Sequence, residues 1–227
     1  MGSEKVLISL YFWRKFLGME TIINVMPKYE ISIANWECLE ELSRFVVEEN
    51  YKHHSTNPPS KEKLESDIMT VYNEEKALYS DTSNIYIARY NHKMIGSIRV
   101  FKWDRKKELP IERMYGINPL KAIPHEEYAE YWHIGRFAID SSIGISSVHL
   151  FKQLMIYAVT PIMKSKYGYM VAEVDAKLLK IVNELGIHTN NLGEPIYFLS
   201  SETIPVYANQ KGITPFYLQY QRAYECA

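Results

Sequence analysis

From Tyr29 to Ala34 polar and apolar residues alternate, the period of a half-buried strand. Asn35 then stands as a helix N-cap, and Leu39, Leu42, Phe45 and Val46 recur on one helical face through about Asn50. The polar stretch His53 to Ser60, carrying Pro58-Pro59, breaks the chain before a second helix from about Lys61 to Tyr79, with Leu64, Ile68 and Val71 at helical spacing. Asn84 to Tyr90 reads as a strand, Asn91-His92-Lys93 as a tight turn, and Met94 to Trp103 as the antiparallel partner. A charged, proline-containing insertion from Asp104 to about Tyr131 leads into a strand from Trp132 to Asp140 and is placed to cover a site.

A short Ser/Gly loop, Ser141 to Ser146, precedes a long helix to about Lys166, with Leu150, Leu154, Ile156 and Val159 inward and Pro161 kinking or shortening it. Tyr169 to Val174 is strand-like, and Lys177 to Leu185 is a helix closed by Gly186. The tail reads as three strands, Pro195 to Leu199, Ile204 to Ala208 and a last one around Phe216 to Tyr220. This order gives an α/β (α+β) fold, a mixed and mostly antiparallel sheet with helices on both faces.

Composition narrows the class. The 227 residues suit a single core, and no Gly/Ser- or Pro-rich linker divides them. Residues 1–18 read as an N-terminal amphipathic segment and residues 19–227 as one domain. The apolar run Val6 to Trp13 is too short to span a bilayer and is followed at once by Arg14 and Lys15, so membrane-surface contact is at most a minor role. A net charge of -1 without a basic stripe argues against nucleic acid. The two cysteines, Cys38 and Cys226, form no disulfide framework and no zinc spacing, which points to a reducing cytoplasm and no metal.

The element order is that of the GNAT acyltransferases, and local residues sharpen the resemblance. Gly96-Ser97-Ile98-Arg99 and Trp132-His133-Ile134-Gly135-Arg136-Phe137-Ala138-Ile139 resemble the G-x-x-R and W-E-x-S-R-F-A-V signatures of the acyl-homoserine-lactone (autoinducer) synthases. Their relatives, the long-chain N-acyl amino acid synthases, share this branch. Leu192-Gly193-Glu194-Pro195-Ile196-Tyr197 and Ile204-Pro205-Val206 are similar to its C-terminal pattern. The branch's N-terminal Arg, Phe, Trp and Asp pattern has no match within residues 19–83, which counts against autoinducer synthesis itself.

The resemblance implies an N-acyltransferase without a tightly bound cofactor. It would take a fatty acyl group from acyl-carrier-protein phosphopantetheine or from coenzyme A and pass it to the amine of an amino acid or similar small acceptor. The donor would lie along Phe137, Ala138 and Ile139, with its phosphate at the helix start formed by Gly144, Ile145, Ser146 and Ser147, where free N–H groups favour an anion. Three positions depart from the pattern. Ser141 replaces the basic anchor of the usual phosphate loop, which favours carrier protein over coenzyme A. Val182 stands where ordinary GNATs often carry a tyrosine acid. His133 replaces the glutamate three residues before Arg136, and its imidazole can accept a proton near neutral pH, which makes it the candidate base. Glu173, on the next strand, is the weaker candidate.

Arg99 and Arg136, on neighbouring strands, need acidic partners or a ligand carboxylate, Asp140 and Glu173 being the nearest acids in the pattern. Strict alternation points His133 and Arg136 to opposite faces, and a bulge at Gly135 would turn both to the cleft. Two other readings remain: an acyl-coenzyme A N-acetyltransferase, and a non-catalytic module that binds an acyl chain or a protein partner.

Overall fold

The computed structural model describes residues 20–25, 28–80, 82–124 and 127–224. The expected N-terminal segment, residues 1–18, and Cys226 lie outside them.

In chain order the elements are β1 (Thr21–Val25), β2 (Glu30–Ala34), α1 (Leu39–His54), α2 (Lys61–Leu78), β3 (Asn84–Tyr90), β4 (Lys93–Lys102), α3 (Pro110–Tyr115), α4 (Pro119–Ala122) and β5 (Glu130–Ile139). There follow α5 (Ser147–Lys164), β6 (Gly168–Asp175), α6 (Ala176–Glu184), β7 (Asn190–Asn191), β8 (Ile196–Phe198), β9 (Ser201–Asn209) and α7 (Gln210–Tyr224). The nine strands form one sheet in the order β1-β2-β3-β4-β5-β6-β9-β7, with β8 on β9. All pairings are antiparallel except β5 with β6.

The alternation in β3 divides the core. Tyr86 and Ala88 pack with Leu150, Leu154 and Val159 of α5 and Phe216 of α7 on one face. Ile85 and Ile87 pack with Leu39, Leu42 and Phe45 of α1 on the other. The 104–131 insertion folds against that second face through Leu109, Ile111 and Ile123, which meet Phe101, Trp103 and Tyr131. Among the described residues, no helix is long and apolar enough to cross a membrane.

Most expected elements are present, with small shifts in their ends. Asn91 and His92 both have positive φ (48° and 64°), the pattern of a two-residue hairpin turn whose twist matches its strands. Asn35 caps a 3₁₀ turn, Trp36–Cys38, that leads into α1.

Three expectations need correction. First, α1 runs to His54 rather than Asn50, so His53 and His54 stand on a helix instead of in the polar break. Second, β1, an edge strand with little apolar periodicity, was not anticipated. Third, the segment around Phe216 to Tyr220 is not a strand but part of α7. There Ile213 and Phe216, three apart, are both fully buried, which is helical spacing. Pro215 lies inside this helix and interrupts its ladder. The Phe216 N–H donates to the Gly186 carbonyl (3.2 Å), and the Gly212 carbonyl accepts from the His188 N–H (2.9 Å). A Cβ at Gly212 would stand 2.5 Å from the His188 carbonyl oxygen, so this approach requires glycine.

Candidate active site

β5 and β6 pair for only four residues, Glu130↔Gly168 through His133↔Val171. β5 then continues to Ile139 and β6 to Asp175, and the wedge between them opens a cavity of about 140 Å³. Gly135, Arg136 and Phe137 line one wall, and Ala172, Glu173 and Val174 the other. Pro110 and Met114 of the insertion close it from outside.

The geometry of β5 depends on a bulge. Ser97 opposes Ala138 and Arg99 opposes Gly135, so two steps on β4 match three on β5. The distortion sits at Arg136, whose φ is 54°, next to the expected Gly135. A left-handed non-glycine residue costs about 1–3 kcal/mol and persists only where its surroundings hold it. Here Ser97 Oγ, fully buried, donates to the Arg136 carbonyl (2.8 Å). The Arg136 side chain donates from Nε to Glu75 Oε1 and from Nη2 to Glu74 Oε2, both at 2.6 Å. The bulge thereby brings Arg136 to the same sheet face as His133.

His133 is buried between two partners. Its Nδ1 lies 3.2 Å from Arg99 Nη2 and its Nε2 lies 2.9 Å from Glu173 Oε2. A guanidinium only donates, so Nδ1 is the acceptor, the ring proton sits on Nε2, and Nε2–H donates to the Glu173 carboxylate. Arg99, itself 2% exposed, stands 3.0 Å from Glu75 through Nε and 4.7 Å above the Phe101 ring. Gly135 makes room for this stack: a Cβ there would meet Arg99 Nη2 and His133 Cε1 at 3.1 Å each.

The arginines do not pair with Asp140. Asp140 binds Lys93 (3.1 Å) at the far end of β5, and Glu75 and Glu74 of α2 take the expected role. Their signal was present in the sequence: Glu75 continues the stripe Leu64, Ile68, Val71 at i+4, a charge on an apolar face. Burial pushes the Glu75 and Glu173 carboxyls up, but their partners outweigh it and hold both below the usual carboxylate range. For Glu75 the partners are Arg99 and Arg136, and for Glu173 they are the His133 N–H with both arginine charges. Glu173 is therefore ionised near neutral pH. Its Oε2 is bound to His133, while its buried Oε1 has no hydrogen-bond partner among the described residues.

A second cavity, about 280 Å³, continues from the first and shares Val46, Asn50, Phe137, Asp175 and Leu178 with it. Phe137, Ala138, Ile139 and Ser147 line it, as does Ser141, whereas Gly144, Ile145 and Ser146 do not. Gly144, with φ of 68°, ends the turn Ser141–Ile143, and the Ser146 side chain caps α5 by accepting from His149 N–H. The facing wall carries Lys177, a cation that the loop itself lacks, together with His53, His54 and the acids Glu49 and Asp175; burial holds the His54 ring below its ordinary pKa. The His53 ring is tied by Nε2 to the Ile139 carbonyl (3.2 Å). Val182 lines the first cavity and offers no acid. Cys38, half-buried, is pushed up to about 12 by burial and the Glu20 charge, so it is no thiolate at neutral pH.

No protein-family model matches the chain. No curated protein matches it either. Solved structures do. FeeM, an N-acyl amino acid synthase from uncultured soil microbes, superposes with a TM-score of 0.58 at 12% identity, over 86% of this chain and 98% of that one. The AHL synthase LasI gives 0.53 at 11% identity over 83% and 94%. BjaI, a CoA-dependent acyl-homoserine lactone synthase, gives 0.51 at 13% identity over 82% of each chain. At such identities the likeness is one of fold. The splayed β5 and β6, the helix that follows β5 and the mixed sheet around them give this chain the GNAT fold, in the form found in N-acyl amino acid and acyl-homoserine-lactone synthases.

Proposed function

We propose that the chain is an N-acyltransferase that moves a fatty acyl group from an acyl-carrier-protein or coenzyme A thioester to the amine of an amino acid or similar small acceptor. The observation that carries this reading is Glu173 Oε1, a buried, ionised and unpartnered acceptor at the point where the two strands separate. A nucleophilic amine fits that position, because it brings the hydrogen the oxygen lacks.

Glu173 takes the part of base. His133, both of whose nitrogens are engaged, acts through it as a positioning residue, its Nε2–H fixing the carboxylate and Arg99 fixing its tautomer. The amine nitrogen attacks the thioester carbon, a C–N bond forms, and the carbonyl oxygen becomes an oxyanion held by free backbone N–H groups of the splayed β5 edge. The attacking nitrogen, cationic after bond formation, gives a proton to Glu173. The C–S bond then breaks, and that proton passes to the leaving thiolate. A carboxylate of low pKa suffices for this role, because the proton leaves a charged nitrogen. The thioester lies in the second cavity along Phe137, Ala138 and Ile139. Ser141 in place of a basic loop residue, with one phosphate to hold instead of a coenzyme A pyrophosphate, supports acyl-carrier protein as the donor.

The test is amine-dependent release of free thiol from a long-chain acyl thioester, with the amide identified by mass, for wild type and Glu173→Gln. Release independent of any amine, or undiminished in the variant, would count against the reading.

A further inference from the structure

The cavity at Glu173 has an unusual charge balance. Its lining carries two cations, Arg99 and Arg136, against three anions, Glu74, Glu173 and Asp175; behind the lining, Glu75 adds one anion and Arg113, 2.7 Å from Glu74, one cation. Both lining cations are already matched. Arg136 is bound to Glu74 and Glu75 at 2.6 Å each, and Arg99 faces Glu75 at 3.0 Å. Among the described lining residues no cation is left for a ligand carboxylate, and one brought in would face an anionic wall.

The unpartnered groups point the same way. Glu173 and Asn50 both line this cavity, and their buried Oε1 and Oδ1 have no hydrogen-bond partner among the described residues. Two vacant acceptors suit a group with two or more N–H donors. Arg99 Nη1, also without a hydrogen-bond partner among the described residues, carries two N–H donors, and with its charge already set against Glu75 it suits a neutral carbonyl or hydroxyl. Most of the remaining wall, with Pro110, Met114, Leu179, Phe198, Leu199 and Val206, is apolar, and its polar groups are the neutral hydroxyls of Thr189, Ser201 and Thr203. Asn50 stands where the two cavities join, so a group it holds lies at the mouth of the donor channel.

We infer that the acceptor is a primary amine with an apolar body and no free carboxylate, its neutral amino group seated with the two N–H bonds toward Glu173 Oε1 and Asn50 Oδ1 and the lone pair free for attack. This rests on the acyltransferase reading above and, within the acceptors named there, sets the free amino acid aside in favour of similar small amines without a carboxylate. It makes Asn50 a specificity-determining residue.

Three acceptors that differ at one group decide it: phenylalanine, its carboxamide and phenethylamine, each offered to the full chain with the same long-chain acyl thioester. The carboxamide and phenethylamine should exceed the free amino acid in kcat/KM by on the order of a hundredfold, the worth of a like-charge contact removed. Asn50→Leu should raise KM for phenethylamine more than it lowers kcat. Equal or better use of free phenylalanine overturns the inference and leaves the acyltransferase reading standing, as does an Asn50→Leu variant with unchanged KM. No amide from any acceptor with either a carrier-protein or a coenzyme A thioester overturns both.

Discussion

Arg136 reaches Glu75 at 2.6 Å from a left-handed backbone position, so the most strained residue of β5 is tied to the most buried acid of α2. The strain and the ion pair sustain each other. Glu75→Gln should leave Arg99 and Arg136 undercompensated and lower stability by about 3–5 kcal/mol, the range for breaking a buried pair from one side. Chemical denaturation of the variant beside wild type measures it, and a loss below 1 kcal/mol would show that the bulge holds without its acid.

Glu173→Gln should keep the fold and lower kcat by roughly 10²–10⁴-fold, the usual worth of a general base. His133→Gln should fold as well, but its loss should be smaller, since the amide still donates to Glu173. A pH–rate profile separates the roles: the acidic limb should vanish in the Glu173 variant and shift in the His133 variant. A profile abolished by His133→Gln and merely lowered by Glu173→Gln would reverse the assignment.

Gly135→Ala would place a methyl 3.1 Å from both the Arg99 guanidinium and the His133 ring. Forced overpacking of this kind costs about 1–3 kcal/mol, and here it also pushes His133 away from Glu173. Turnover should therefore fall further than the change in melting temperature accounts for. An active variant of normal stability would show that the stack tolerates rearrangement.

Stability should fall in acid. Glu75 and Glu173 are held below the carboxylate range, and Asp140, pushed up by burial but held by Ser142 and Lys93, falls to about 2 from its ordinary 3.8. A depressed folded-state pKa contributes stability above the unfolded value, and that stability is lost as pH drops through the folded one. The melting temperature should thus be flat from neutral pH to about 4.5 and decline below it. In Asp140→Asn the decline between 3.8 and about 2 should be shallower. A curve that steepens above pH 6 instead would point to other groups.

With the same long acyl group on each carrier, kcat/KM should be higher for acyl-carrier protein than for coenzyme A, because Ser141 supplies no cation to a pyrophosphate. Saturation by acetyl-coenzyme A would instead favour the N-acetyltransferase alternative.

The sheet and its helices were legible because β3, β4, β5 and β6 alternate or run apolar between clear turns, and the motif residues Arg99, His133, Arg136 and Glu173 do meet in one cluster. The acids that complete the cluster were not assigned. Glu74 and Glu75 lie on a helix about 60 residues upstream of Arg136, and periodicity reveals a charge on an apolar face without naming its partner. The extension of α1 past Asn50 was hidden by His53 and His54, polar residues that a helix end accommodates. The last helix was hidden by Pro215, a breaker whose displaced partners come from a loop of distant sequence, which local reading does not supply.

That exchange between α7 and the segment after α6 makes the C-terminal helix a brace for the cavity floor. Val182 and Thr189, which line the acceptor side, flank the stretch 186–188 that Gly212 and Phe216 hold by two backbone bonds. The amides of His188 and Phe216 therefore belong to one opening unit, and their hydrogens should exchange at a common rate. Shortening the chain from its C-terminus would then act on acceptor binding before it acts on the donor channel.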